Sequence, residues 1–223
     1  MAINLIKGQT IDLRKNEKGA DYNLSAVTIG LGWDVRKKET GFFSKLFGND
    51  KEEEEYDLDA IAFLLDSNGK VANPGRTIEK PNGTSVRFYG GDIVFFNAMH
   101  HPSGHIWLTG DNRTGAGDGD DEQIIVKLND LDQKYQRIVF LVAIYQGKAK
   151  YQHFGLVENA FIRAVDKMGH EIAKFSLSGN STYNGMCSMI FAEAYRKDNS
   201  WSFRAIGEPH STDNFVELLK NYR

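Results

Sequence analysis

The chain has 223 residues, 41% hydrophobic and 26% charged, a balance typical of globular proteins rather than disordered ones. A formal net charge of −3 argues against nucleic acid as a partner, and the single cysteine, Cys187, excludes an internal disulfide and fits a reducing compartment. No run reaches the ~18 apolar residues of a membrane helix. The N-terminal MAINLIKGQTIDLRK lacks an apolar signal core and a small-residue cleavage site, so a cytoplasmic location is expected. In chain order, short apolar runs predict strands at Ile11–Arg14, Ala26–Trp33, Leu58–Leu65, Asp92–Phe96, Trp107–Thr109, Gln123–Leu128, Arg137–Tyr145, Asn159–Val165, His170–Ser176, Met189–Tyr195 and Trp201–Ala205. Turn signals at Asp66-Ser67-Asn68-Gly69, Asp166-Lys167-Met168-Gly169 and Lys197-Asp198-Asn199-Ser200 join several of these as hairpins.

This spacing predicts an all-β fold, a β-sandwich of two packed, mostly antiparallel sheets with a few short helices. Ile138–Tyr145 (IVFLVAIY) is apolar on both faces and is expected to be a central strand. Asp130–Gln136 is expected to form one helical turn, and Thr212–Tyr222 a short C-terminal helix behind a Thr-Asp cap. The sandwich is assigned to residues 1–209 and the helical tail to 210–223. Residues 35–56, basic at first, then apolar (Phe42, Phe43, Leu46, Phe47), then four consecutive glutamates, form an insertion loop.

The stretch Thr109–Gln123 (TGDNRTGAGDGDDEQ) departs most from an ordinary loop. It carries Asp111, Asp118, Asp120, Asp121 and Glu122 against Arg113 alone, a local charge of about −4. Such crowding repels itself unless a cation sits among the oxygens, and hard cations such as Ca²⁺ take six to eight of them. Asn112 adds a further oxygen, and glycines such as Gly115 let the backbone approach closely enough to add carbonyls. The competing reading is a solvated acidic hairpin loop.

Asp57 and Asp59 open an apolar strand, where residues two apart share a face about 6.5 Å apart, so both carboxylates are expected to project together. The same parity, applied before the Gln123 strand, turns Asp120 and Glu122 one way and Asp121 the other, which points to two neighbouring ions. Asp34, directly after Gly30-Leu31-Gly32-Trp33, offers a carboxylate from a third segment. The loop is not an EF-hand: starting at Asp111, positions 3 and 5 are Arg113 and Gly115, and starting at Asp118, position 6 is Gln123.

Other constellations carry less. His100, His101 and His105 flank a Pro-Ser-Gly turn, so exposed histidines on a hairpin are expected in preference to a zinc site. Cys187 lies in the apolar NGMCSMIF and reads as a buried structural thiol. No nucleophile elbow, phosphate-loop lysine or HExxH motif occurs, and the crowded acids lack an apolar pocket to separate their pKa values, so catalysis is not expected.

Taken together, several blocks resemble the tellurium-resistance TerD family over about residues 2 to 208. They are LIKGQTIDLRK near the start, VTIGLGWD (Val27–Asp34), DLDAIAFLLDSNGKV (Asp57–Val71), HIWLTGDNRTGAGDGDDEQI (His105–Ile124), Ile138–Asp166 and Ile190–Glu208. The DLDA and GDNRTG pieces are the most specific. The resemblance implies a calcium-binding β-sandwich holding two Ca²⁺ ions, without enzymatic activity and tied to tellurite and general stress resistance and to phage and colicin tolerance. It also implies partners among other tellurium-resistance proteins and a membrane partner, with any membrane association peripheral. The ligands it implies are the acids of Asp57-Leu58-Asp59 and of the Asp111–Glu122 loop. Asn97 matches a position where the family usually has Asn-Asn, although the second Asn is Ala98 here. The 35–56 insertion resembles the TerZ-type subgroup, and a mobile flap partly folded onto its own domain is expected there in preference to an apolar island that docks a partner or membrane. Two alternatives remain: a scaffold that recruits partners through that insertion, and a small-ligand module for cyclic nucleotides, which distant family members are described as binding.

Overall fold

The computed structural model describes residues 3–13, 21–35, 56–109, 120–177 and 181–223. Fourteen strands are formed among these: β1 (Ile3–Leu5), β2 (Thr10–Asp12), β3 (Val27–Val35), β4 (Leu58–Leu65), β5 (Arg76–Glu79), β6 (Ser85–Tyr89), β7 (Ile93–Val94), β8 (Ile106–Leu108), β9 (Glu122–Val126), β10 (Arg137–Ile144), β11 (Val157–Val165), β12 (Glu171–Leu177), β13 (Ser188–Lys197) and β14 (Ser200–His210). One six-stranded sheet has the order β1-β12-β11-β3-β9-β8, the other β2-β14-β13-β10-β4-β7, and β5-β6 is a separate ribbon. All pairings are antiparallel except that of β1 with β12. The two sheets pack face to face as the expected β-sandwich.

The alternation of β9 and β11, buried on one side and half-exposed on the other, comes from a single apolar face turned to the core. Ile29, Leu31, Ile124, Val126 and Ile162 meet Ala60, Ala62, Leu64, Phe140 and Phe191 across the sandwich. Strand β4 is buried at every position, and β10 at all but its first. The reason is a second cluster on the outer face of their sheet, where Ile61, Phe63, Leu65, Val139 and Leu141 are covered by Leu218 and Leu219 of the C-terminal helix. Thus IVFLVAIY is central, between β13 and β4, and apolar on both faces because both faces are covered.

That helix, α1, spans Phe215–Leu219 and continues as a 3-10 turn over Lys220–Tyr222. It starts later than the sequence indicates. The cap is Asn214, whose Oδ1 accepts from the Val216 amide at 3.1 Å, while the Thr212 hydroxyl accepts from the Asn214 amide at 3.1 Å. Phe215 meets the rings of Phe63, Phe88 and Phe95. Asn214→Ala is expected to lower stability by about 1 kcal/mol, read as a drop of about 2–4 °C in melting temperature.

The helical turn expected over Asp130–Gln136 does not form. The Asp132 side chain accepts from the Lys134 amide at 2.9 Å, and Arg196 donates to the Leu131 and Tyr135 carbonyls at 2.7 and 3.0 Å. These bonds replace the helical ones with a turn. The insertion expected at 35–56 lies outside the described residues apart from its two ends.

Candidate metal centre at one end of the sandwich

Three strand ends meet at one end of the sandwich. Strand β3 leaves the core at Trp33 and Asp34, β4 enters it at Leu58 and Asp59, and β9 enters at Glu122. Three hydrogen bonds hold the ends together. The Trp33 indole donates to the Tyr56 carbonyl at 3.3 Å, fixing the segment just before Asp57. The Trp33 amide donates to Asp121 Oδ2 at 2.9 Å, while the Asp121 amide donates to the Leu31 carbonyl at 2.8 Å. The loop Asn97 occupies adjoins the same end: the Phe96 ring meets Tyr145 edge-on at 6.1 Å, and the Tyr145 amide donates to the Asp57 carbonyl at 2.7 Å.

The carboxylates divide into different surroundings. Glu122 is 2% exposed and turns into the sandwich, where Oε2 accepts from the Ala60 amide at 2.5 Å. Ala60 lies on the margin of β4 beyond its pairing with β7, which involves only Ala62 and Phe63, so Glu122 fills a ladder position that no strand among the described residues supplies. Asp59, next along, is buried. Asp34 accepts from the Asn159 side chain at 2.8 Å and lies opposite Glu158 in the β3–β11 ladder. Asp120 turns to the outer face of its sheet, where Arg163 donates to it at 2.7 Å and Gln123 at 3.3 Å.

Strand parity therefore fails for Asp120. It was expected to share a face with Glu122, but β9 begins only at Glu122, and the two carboxylates point to opposite sides of the sheet. Asp121 bears the cost of the crowding. Burial raises its pKa, and the neighbouring Asp34 and Asp120 raise it further, against the lowering effect of the Trp33 amide.

The chemistry of these donors, carboxylate oxygens with an amide nearby, fits a hard cation. The described carboxylates alone do not complete a site: among the described residues no three His, Cys, Asp or Glu side chains form a group that could hold a metal ion. Asp111, Asn112, Gly115 and Asp118 lie outside the described residues. Sequence reasoning missed two residues, Asn159 and Arg163. Asn159 sits at φ 52° in a bulge of β11, a conformation Asn tolerates better than most residues, and this lets its amide reach Asp34. A polar Asn inside an apolar strand was the available signal.

A second polar cluster lies apart from this end. His101, expected exposed with its neighbours, is buried, whereas His100 is exposed and His105 half-buried. Its Nδ1 faces the Ser103 amide and hydroxyl at 3.1 and 2.8 Å, and its Nε2 lies 3.2 Å from Asp92 Oδ1. Tyr135 donates to the same oxygen at 2.6 Å, and the Asn73 amide to Asp92 Oδ2 at 2.8 Å. Burial raises the Asp92 pKa, but the His101, Tyr135 and Asn73 hydrogen bonds outweigh it and hold the carboxyl below the usual range. Burial and the Asp92 carboxylate push the Tyr135 phenol upward. Cys187 is buried, with its thiol 3.4 Å from the Gln152 carbonyl, and burial raises its pKa, so it is an inert structural thiol.

Comparison with known proteins agrees with this architecture. The TerD domain model matches residues 1–78 and 84–222. The chain is 56% identical to tellurium resistance protein TerX of Serratia marcescens over the full length of both. It is 37% identical to stress response protein SCP2 of Bacillus subtilis (strain 168), again over the full length of both. A crystal structure of a homologue of telluride resistance protein (TerD) from Streptomyces coelicolor A3(2) shares the fold with a TM-score of 0.58 at 22% identity, covering 87% of this chain and 95% of that one. The domain model spans both sheets and the C-terminal helix, and the chain belongs to the TerD domain family.

Proposed function

We propose that this protein is a calcium-binding, non-enzymatic module of the stress response linked to tellurite resistance. The observation that carries the reading is the gathering of Asp34, Asp57, Asp59, Asp121 and Glu122 at one end of the sandwich, next to a loop whose sequence adds further oxygen donors. The raised pKa of Asp121, set first by burial and then by the neighbouring Asp34 and Asp120, supports it, because a cation beside that carboxylate would favour its charged form. When bound, calcium would supply that positive charge. The chain's part is to hold the oxygens ready: Trp33 orients Asp121, Asn159 orients Asp34, and the Ala60 amide orients Glu122. The resistance and stress-response names of the relatives supply the physiological side. In this reading the protein acts in a larger assembly with other tellurium-resistance proteins, and any membrane contact is made through partners. Among the described residues no helix is long and apolar enough to cross a membrane.

The test is calorimetry and thermal melting on chelated protein. A ligand that binds only the folded state adds about 2.7 kcal/mol at a hundredfold excess over its Kd, so calcium should raise the melting temperature and EDTA reverse it. Asp59→Ala should abolish the rise, and Asp130→Ala, at an exposed turn, should leave it unchanged. A wild-type protein with neither binding heat nor thermal shift at millimolar calcium overturns the reading.

A further inference from the structure

Asp120 stands apart from the other carboxylates of this end. Its side chain is 2% exposed, yet it faces neither Asp59 nor Glu122. It lies over Gly30 on the outer face of the sheet, where the ladder sets Arg163, Gly30 and Gln123 side by side on β11, β3 and β9. A Cβ on Gly30 would come 2.1 Å from Asp120 Oδ2 and 2.2 Å from its carboxyl carbon, and all three of its nearest atoms would belong to Asp120. The absent side chain is therefore the space the carboxylate fills. Arg163 Nε donates to Oδ1 at 2.7 Å and Gln123 Nε2 to Oδ2 at 3.3 Å, so both oxygens are engaged. The guanidinium is itself held by Glu171 at 3.1 Å and packs beside the Phe161 ring at 5.9 Å. A buried carboxylate with a fixed full countercharge is already neutralised, and pulling it toward a cation would strip that partner away.

We infer that Asp120 is not a cation ligand but the anchor that pins the entry of β9 to the outer face of the sheet, with Gly30 as its seat and Arg163 as its clasp. As the preceding residue in the chain, the anchor fixes where Asp121 starts and hence its bond to Trp33. Arg163 and Gly30 become positioning residues for the acidic end. Only the affinity arm of the test rests on the calcium reading above.

The first arm is run in EDTA by thermal melting. Gly30→Ala lowers the melting temperature of the wild type, but in an Asp120→Ala background it is neutral or raises it, because the colliding atoms are gone and alanine suits a strand better than glycine. Likewise Asp120→Asn and Arg163→Met each destabilise, and the double variant falls no further than the worse single one. Additive losses, or a Gly30→Ala penalty that survives in Asp120→Ala, overturn the anchor. The second arm is calcium titration of Arg163→Met. Removing a positive charge should tighten cation binding if Asp120 is a ligand, whereas an anchor requires binding to weaken, by about threefold to tenfold. Tighter binding overturns the proposal. If the wild type binds no calcium, the functional reading falls, and the anchor stands or falls on the EDTA arm.

Discussion

Asp121→Asn is expected to raise thermal stability in chelator and to weaken calcium binding at least tenfold, about 1.4 kcal/mol. Asparagine keeps an oxygen to accept from the Trp33 amide, so the bond at 2.9 Å survives. What disappears is a charge that burial and the neighbouring Asp34 and Asp120 make unfavourable. The pH dependence has a definite sign. A carboxyl whose folded pKa is raised binds its proton more readily in the native state, so its ionisation costs stability as pH rises through that raised value. Below the ordinary carboxylate pKa of about 4 the cost is absent. The difference between variant and wild type in EDTA should therefore be small near pH 4 and grow toward neutrality. With calcium in excess the order of stabilities should reverse. Melting curves across that range, with and without calcium, test both signs, and a variant less stable in EDTA at pH 7 would contradict the account.

Asp92→Ala is expected to cause the largest loss of stability of any single substitution discussed, about 3–5 kcal/mol. At about 2–4 °C per kcal/mol in a chain of this size, the melting temperature should fall by roughly 10 °C. One buried carboxylate satisfies the Tyr135 hydroxyl at 2.6 Å, the His101 ring at 3.2 Å and the Asn73 amide at 2.8 Å. Deleting it takes this acceptor from two buried donors, Tyr135 and His101, each costing about 1–3 kcal/mol. Asp92→Asn should be milder, because an oxygen remains. The pKa here is depressed, so the sign is opposite to that of Asp121. The contribution is complete above the unfolded carboxylate pKa of about 4 and is lost as pH falls through the lower folded value. Acid titration of wild type and Asp92→Asn, followed by circular dichroism, should show the wild type losing its advantage only at low pH.

The sandwich and most of its strands were legible in the chain. Alternation in β9 and β11, the two-faced apolar run of β10, and the Asp-led turns at Asp66 and Asp166 act over a few residues, where side-chain period and turn chemistry decide the outcome. Three strands escaped notice. Ile3–Leu5 is too short to show a period and exists because β12, far along the chain, offers a parallel edge. Strands β5 and β6 are mostly exposed, so they lack the apolar contrast by which strands are recognised.

At the acidic end the sequence by itself determined the supply of oxygens: which residues carry them, how closely they crowd, and that acids lie at the starts of β4 and β9. Only the tertiary structure decided what each carboxylate faces. Parity holds within a strand, and Asp120 precedes one, so its direction follows from an Arg on β11 and a missing side chain on β3. Burial of His101 depends on Asp92 and Tyr135 in the same way. Charge pairing and burial are set between segments distant in the chain and adjacent in space, and local composition holds no record of that adjacency.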